Sequence, residues 1–201
     1  MADVSRILLT CLPVDPLSRL ARDAQTGDDQ ALAALVEAAY EPIWQLCATL
    51  TDPHSADDLA QESILRAVRS IYNYRGDSTA RAWLLAIARH TCIDEIRARI
   101  RRRQRDESLL HPAAVPQAGD ASQNSVVTDL IHRLEPDRRT AFTLTQILGL
   151  TYHEAAQVCE CPPGTIRSRV ARARADLLAM LNVTDAPEPV PETPSKRSHT
   201  A

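Results

Sequence analysis

Apolar residues recur every three to four positions through most of this chain, and the pattern breaks at a few identifiable places. Helical periodicity starts at Leu17 and is interrupted by Gly27-Asp28-Asp29, where Asp28 or Asp29 is suited to cap the following helix. Leu32, Leu35, Val36 and Ala39, then Ile43, Leu46, Cys47 and Leu50, carry one stripe past Pro42 until Thr51-Asp52-Pro53 breaks it. The next helix is expected to take Ser55 as its cap and to place Leu59, Ile64, Leu65 and Val68 at apolar positions. Residues 72–79 are polar and turn-forming around Gly76-Asp77-Ser78. From 80 to about 103 the spacing predicts one long helix. Trp83, Leu84, Ile87, Ala88, Thr91, Ile96 and Ile100 line one stripe, with Arg89, His90, Arg97 and Arg101 nearer the other face.

Periodicity then stops. Residues 104–124, with Pro112, Pro116 and Gly119 among Ala, Ser and Gln, read as an interdomain linker. A second helical block follows: Val127, Leu130, Ile131 and Leu134, a break at Glu135-Pro136-Asp137, then a helix with Ala141, Phe142, Leu144, Ile147 and Leu148 that ends at Gly149. Residues 149–174, GLTYHEAAQVCECPPGTIRSRVARAR, have the grammar of a helix-turn-helix. Residues 152–158 form a short amphipathic helix and 159–162 a tight connection. Pro163 opens the second helix, where a missing N–H costs nothing. The block closes near Leu181. Residues 1–16, with two prolines and no sustained period, are expected to be a loosely held leader, and 183–201, with four prolines and no core, a disordered tail. The expected fold is all-α: two small helical domains, 17–103 and 125–182, on a flexible linker, each near the lower size limit for a self-sufficient core.

Composition supports this. The 201 residues are 44% hydrophobic but only 3% aromatic, with five glycines, which suits helices packed through Leu, Ile, Val and Ala. No apolar run approaches the roughly 20 residues of a membrane span. The N-terminus lacks a signal-peptide pattern, so the chain is expected in the cytoplasm. Cys11, Cys47, Cys92, Cys159 and Cys161 are odd in number and scattered. They fit small buried hydrophobes better than a disulfide framework or a zinc site, and no metal or other cofactor is expected. The six histidines join no nucleophile or metal motif, and no glycine-rich phosphate loop is present, so the chain does not read as an enzyme.

Charge adds more. The net charge of −3 hides a segregation: residues 15–65 hold ten acids and two bases, residues 81–105 eight bases and two acids. That clustering favours two surfaces with different partners, one of them polyanionic. The second helix of the helix-turn-helix carries Arg167, Arg169, Arg172 and Arg174 against Asp176, the balance the DNA major groove selects. The loop holding Tyr72, Tyr74, Arg75 and Ser78 precedes the basic helix, an arrangement that serves single-stranded DNA: bases unstack onto aromatic or polar pockets while arginines hold phosphates. The competing reading puts Trp83 and the tyrosines in the core. In SADDLAQESILRA, Asp57, Asp58, Gln61 and Glu62 share a face, either as a solvated helix start or as a docking face for a protein.

Taken in order, GDDQALAALVEAAY, SADDLAQESILRA, YRGDSTARAWLLAIARH followed by Asp94 and Arg97, a variable linker, LEPDRRTAFTLTQILGLTYHEAA and PPGTIRSRVARARADLL resemble the extracytoplasmic-function (group IV) sigma factors of bacterial RNA polymerase. The match runs from about Leu17 to Leu181, and STARAWLLAIARH, Ile147–Leu150 and VCECPPGTIRSRVARAR look most like the actinobacterial sigma-C subgroup. The resemblance implies a factor that binds core polymerase, directs it to specific promoters and helps open the −10 element. The first domain would be sigma region 2, with Asp57, Asp58, Gln61 and Glu62 docking on the β′ clamp helices. Tyr74, Arg75, Gly76, Asp77, Ser78 and Trp83 would capture a flipped base of the −10 non-template strand, and Arg89, His90 and Arg97 would hold the strand nearby. The second domain would be region 4, on the β flap, with Thr165, Arg167, Ser168, Ala171 and Arg172 toward the −35 major groove and Val170 and Leu177 toward the core. The linker would thread near the RNA exit path, and an anti-sigma factor is a possible further partner. Three residues depart from the family pattern: His90 stands where asparagine is common, Ser63-Ile64 replaces an aromatic, and Glu160 sits where glycine is frequent. If Glu160 needs a positive φ, it costs about 1 kcal/mol. The alternative is a stand-alone helix-turn-helix regulator with a helical sensing or dimerisation domain.

Overall fold

The computed structural model describes residues 15–107 and 126–184, and these are helical with no strand among them. Most of the expected leader, tail and linker falls outside the described residues, while Pro16 already belongs to the first helix and residues 183–184 continue the last one.

Helix α1 (Pro16–Gln25) leads into α2 (Asp29–Leu50), and Asp28 is the cap: its Oδ1 accepts from the N–H groups of Gln30 and Ala31 at 2.9 and 3.0 Å. Pro42 lies inside α2 without ending it. Helix α3 (Pro53–Ser70) starts three residues earlier than expected, because Asp52, not Ser55, caps it. Asp52 Oδ1 accepts from Ser55 N at 2.9 Å, and Pro53 fills the first helical position, where its ring is preorganised. A short 3₁₀ turn (Ile71–Asn73) ends α3, and after a loop α4 (Ala80–Glu107) runs for 28 residues. Residues 104–107, expected to begin the linker, continue this helix, since no glycine or proline follows before Pro112.

Helices α1, α3 and α4 pack on α2 around Leu35, Ile43, Leu46, Leu84, Leu85 and Ala88. The apolar stripe of α4 ends earlier than expected: Ile96 and Ile100 are 37% and 49% exposed, as is Leu65 of α3 at 49%. Beyond Cys92 the helix is held by charge instead, with Arg99 Nη1 2.6 Å from Asp52 Oδ2 and Arg99 Nε 2.8 Å from Glu95.

The second half comprises α5 (Val126–His132), α6 (Pro136–Phe142), α7 (Tyr152–Cys159) and α8 (Pro163–Thr184). The helix expected to run unbroken to Gly149 changes pitch instead. Thr143–Ile147 forms a π turn in which Leu148 N–H reaches the Thr143 carbonyl at 2.9 Å. Leu134, Leu144, Val158, Ile166 and Val170 form this half's centre, and Leu177 is half-buried. The two halves touch one another. Helix α4 packs on α7, α2 touches α5 and α6, and buried residues of both halves join in one apolar cluster. Each half is small, so part of its apolar surface finds cover on the other.

A candidate nucleic-acid interface and its acidic counterface

The loop between the 3₁₀ turn and α4 is shaped from beneath by Tyr74. Its ring is 5% exposed and tilted against Trp83, with centroids 5.3 Å apart, and its Oη donates to the Ser78 carbonyl at 2.8 Å. Of the expected base-capturing side chains, Tyr74 is therefore corrected to a support: burial leaves no face of the ring for a base. Trp83 is half-buried beside it. Arg75, Gly76 and Asp77 are exposed, Ser78 is half-exposed, and Gly76 takes φ 77°, a left-handed turn that presents Asp77 and Ser78 outward. Along α4, Arg89 is half-buried while His90 and Arg97 are exposed.

The helix-turn-helix lies across this loop and helix. Thr79 Oγ1 donates to Glu154 Oε1 at 3.0 Å, and His90 Nε2 lies 3.0 Å from Glu160 Oε1. Glu154 is also the capping-box residue of α7, accepting from Thr151 N and Oγ1 at 2.9 and 2.8 Å. Burial alone would raise its pKa, but hydrogen bonds from Thr151 and Thr79, with Arg81 nearby, more than offset that and hold the carboxyl below the usual glutamate range. Cys159 behaves as a buried hydrophobe, its thiol pushed up to about 11 chiefly by burial. Sequence reasoning placed Thr79 at the end of the base-capturing loop but did not pair it with Glu154, because contacts at a separation of 75 residues leave no local pattern.

The helix-turn-helix turn closes as a Schellman motif: Cys161 N–H reaches the Ala156 carbonyl, Glu160 N–H reaches that of Gln157, and Glu160 takes φ 53°. On α8, Arg167, Ser168, Ala171 and Arg172 are exposed and Thr165 is half-exposed. The four arginines of α8 then divide. Arg169 pairs with Asp137, and Arg174 Nη2 donates to Gln146 at 2.6 Å. Arg167 and Arg172 make no hydrogen bond or ion pair among the described residues, so their guanidinium groups are available.

The acidic face is built jointly by α2 and α3. Asp57, Asp58 and Gln61 are exposed, and Asp57 Oδ1 accepts from Trp44 Nε1 at 2.9 Å and Tyr40 Oη at 3.1 Å. Glu62 is less free, since Arg66 Nε sits 2.7 Å away and bridges on to Asp94 at 3.1 Å. Tyr40 and Trp44 escaped the sequence reading. Their signal was an aromatic pair at i, i+4 in a chain with seven aromatics.

Comparison with known proteins matches two family descriptions in the same order: Sigma-70 region 2 over residues 35–104 and Sigma-70 region 4 over residues 125–177. The chain is 45% identical over 170 residues to a probable RNA polymerase sigma-C factor of Mycobacterium bovis and to the ECF RNA polymerase sigma factor SigC of Mycobacterium tuberculosis, covering 82% of this chain and 91% of each relative. It is 33% identical to an ECF RNA polymerase sigma-E factor of Haemophilus influenzae, over 77% of this chain and 89% of that one. Among solved structures, the sigma factor RpoE of Bartonella quintana, in complex with the anti-sigma factor NepR, matches with a TM-score of 0.61 and 28% identity over 77% of this chain and 96% of that one. CnrH, solved with the cytosolic domain of CnrY, shares the fold with a TM-score of 0.64 at 23% identity, covering 86% of this chain and all of that chain.

Proposed function

We propose how this chain, which belongs to the extracytoplasmic-function sigma factors of bacterial RNA polymerase, directs transcription. The acidic face of Asp57, Asp58, Gln61 and Glu62 docks on the β′ clamp helices of core polymerase, and region 4 on the β flap. Loop 75–78 takes a flipped base of the −10 non-template strand, with Trp83 at its wall and Arg89, His90 and Arg97 along the strand. Arg167 and Arg172, with Thr165, Ser168 and Ala171, meet the −35 major groove. The observation that carries this reading is the division of the α8 arginines: Arg169 and Arg174 are paired within the chain, and Arg167 and Arg172 have no such partner among the described residues. Free cationic groups on the second helix of a helix-turn-helix are suited to phosphates and guanines.

In the closed arrangement, Glu154 and Glu160 occupy the neighbourhood of the −10 loop and His90. Promoter capture therefore requires the halves to separate, which binding to two sites on polymerase accomplishes by mass action. The chemistry of RNA synthesis belongs to polymerase; this chain contributes specificity and no catalysis. It works in the cytoplasm, where polymerase is. No helix among the described residues is long and apolar enough to cross a membrane.

Run-off transcription on a promoter library, with the purified chain and core polymerase, tests the reading. Promoter-specific transcripts are expected. Their absence, together with no co-elution with core, overturns it. Tight palindromic DNA binding without polymerase would favour the stand-alone regulator instead. Co-purification from cells reports whether an anti-sigma factor accompanies the polymerase.

A further inference from the structure

Helix α1 touches the −10 loop at both of its ends. Ser18, 5% exposed, accepts the Ala80 N–H at 2.8 Å, the first N–H of α4, and its Oγ lies 3.1 Å from Tyr74 Oη. Tyr74 Oη in turn reaches the Ser78 carbonyl. At the other end, both N–H groups of the Gln25 amide are engaged: Nε2 donates to the Ile71 carbonyl at 2.9 Å and to the Tyr74 carbonyl at 2.7 Å. Between them Arg22 lies over Gly76, with Nη2 3.7 Å from where a β-carbon would stand. One ten-residue helix thus fixes where the loop leaves the 3₁₀ turn and where it enters α4. Helix α1 lies upstream of the matched region 2 segment and has no role in the mechanism above.

We infer that α1 is a positioning element for −10 recognition: Ser18 and Gln25 set the shape of loop 74–79, and through it the choice of the captured base. This rests on the reading of that loop as the base-capturing site. Neither residue needs to touch DNA. A loop with unpinned ends samples several shapes, so loss of either hydrogen-bonding group lowers the competent fraction and relaxes discrimination between bases.

The test uses holoenzyme assembled from core polymerase and full-length Ser18→Ala, Gln25→Glu and Asp77→Ala chains, on a promoter taken from the library above. Gln25→Glu keeps size and shape but removes the N–H donors. Two quantities are read: permanganate reactivity of the opened non-template strand, and the ratio of opening between the preferred base and a substituted one at the captured position. Ser18→Ala and Gln25→Glu are expected to lower opening about three- to tenfold, the range of one or two lost hydrogen bonds. They should also pull the discrimination ratio toward one, leave affinity for core unchanged, and add nothing to Asp77→Ala. A general loss of stability would scale opening on both promoters equally and leave the ratio intact; that result overturns the inference. So does wild-type discrimination in both α1 variants when Asp77→Ala has lost it. If Asp77→Ala itself discriminates normally, the reading of the loop fails, and the inference with it. Should Ser18→Ala fail to fold, Gln25→Glu, at a half-buried position, carries the test alone.

Discussion

Replacing Glu160 by glycine separates two effects that meet at one residue. Glu160 holds φ 53° and ψ 44°, a left-handed conformation that costs a non-glycine residue about 1 kcal/mol. Glycine removes that strain but makes the unfolded chain more flexible, which costs about 0.5–1 kcal/mol, so region 4 itself should change little in stability. The side chain, however, also reaches His90 across the interface at 3.0 Å, with side-chain exposures of 49% and 68%. An exposed pair of this kind is worth roughly 0–1 kcal/mol after screening, which corresponds to at most about a fivefold shift in the open fraction. Glu160→Gly is therefore expected to loosen the closed arrangement while leaving the helix-turn-helix intact. Hydrogen exchange on the full chain measures both: amides of 75–79 and 152–154 should exchange up to about fivefold faster, while those of α8 keep wild-type protection. His90→Asn removes the same pair without touching the backbone and should reproduce the faster loop exchange. The two changes together should exceed neither alone. Unchanged loop exchange in both variants, or full additivity in the double variant, refutes the reasoning.

Three other outcomes follow from the same geometry. Arg167→Ala and Arg172→Ala should each weaken −35 duplex binding by holoenzyme by about 1–3 kcal/mol without lowering the melting temperature; Arg169→Ala should do the reverse, because its partner is Asp137. The carboxyls of Asp52, Glu95 and Glu154 all sit below their ordinary values, held there against burial by Arg99 and Ser55, by Arg99 and Arg102, and by Thr151 and Thr79 respectively. Groups with depressed folded pKa stabilise above their unfolded value and lose that contribution as pH falls. Thermal melts should therefore drop as pH falls below the ordinary 4.5 of glutamate and 3.8 of aspartate, with a shallower drop in Glu154→Gln. Tyr40→Phe and Trp44→Phe, which strip the donors from Asp57, should each reduce affinity for core about two- to tenfold and show no further loss in an Asp57→Asn background, measured by fluorescence titration.

Most of the helices were legible because their signals are local. Asp28 before a periodic run and Pro163 at a helix start are each complete within one turn. Where the reading missed, two local signals competed or a distant one decided. Asp52 and Ser55 can both cap, and the charged oxygen beside a proline at the first position prevailed over the hydroxyl. Ile96 and Ile100 keep helical spacing yet stand exposed, because periodicity reports which face a residue occupies and not how far along the helix the bundle extends. Tyr74 reads as a candidate base platform from composition, while its burial depends on Trp83 and on α1, 56 residues back at Ser18.

The closure between the halves lay furthest from the sequence, yet it gives sense to two residues that looked unrelated there. His90 and Glu160 lie 70 positions apart, and the fold sets them against each other at 3.0 Å. The cost of Glu160 in a left-handed turn is local and certain wherever the chain is folded. The pair it forms exists only while the halves are together. A substitution neutral for region 4 can thus still shift the balance between closed and open chains, and so affect the −10 loop without touching it. The same holds for Glu154, whose carboxyl serves the α7 cap and Thr79 at once. In the function proposed above, opening removes only the Thr79 bond; the capping box persists, so region 4 would leave loop 75–79 as a folded unit, able to bind duplex DNA.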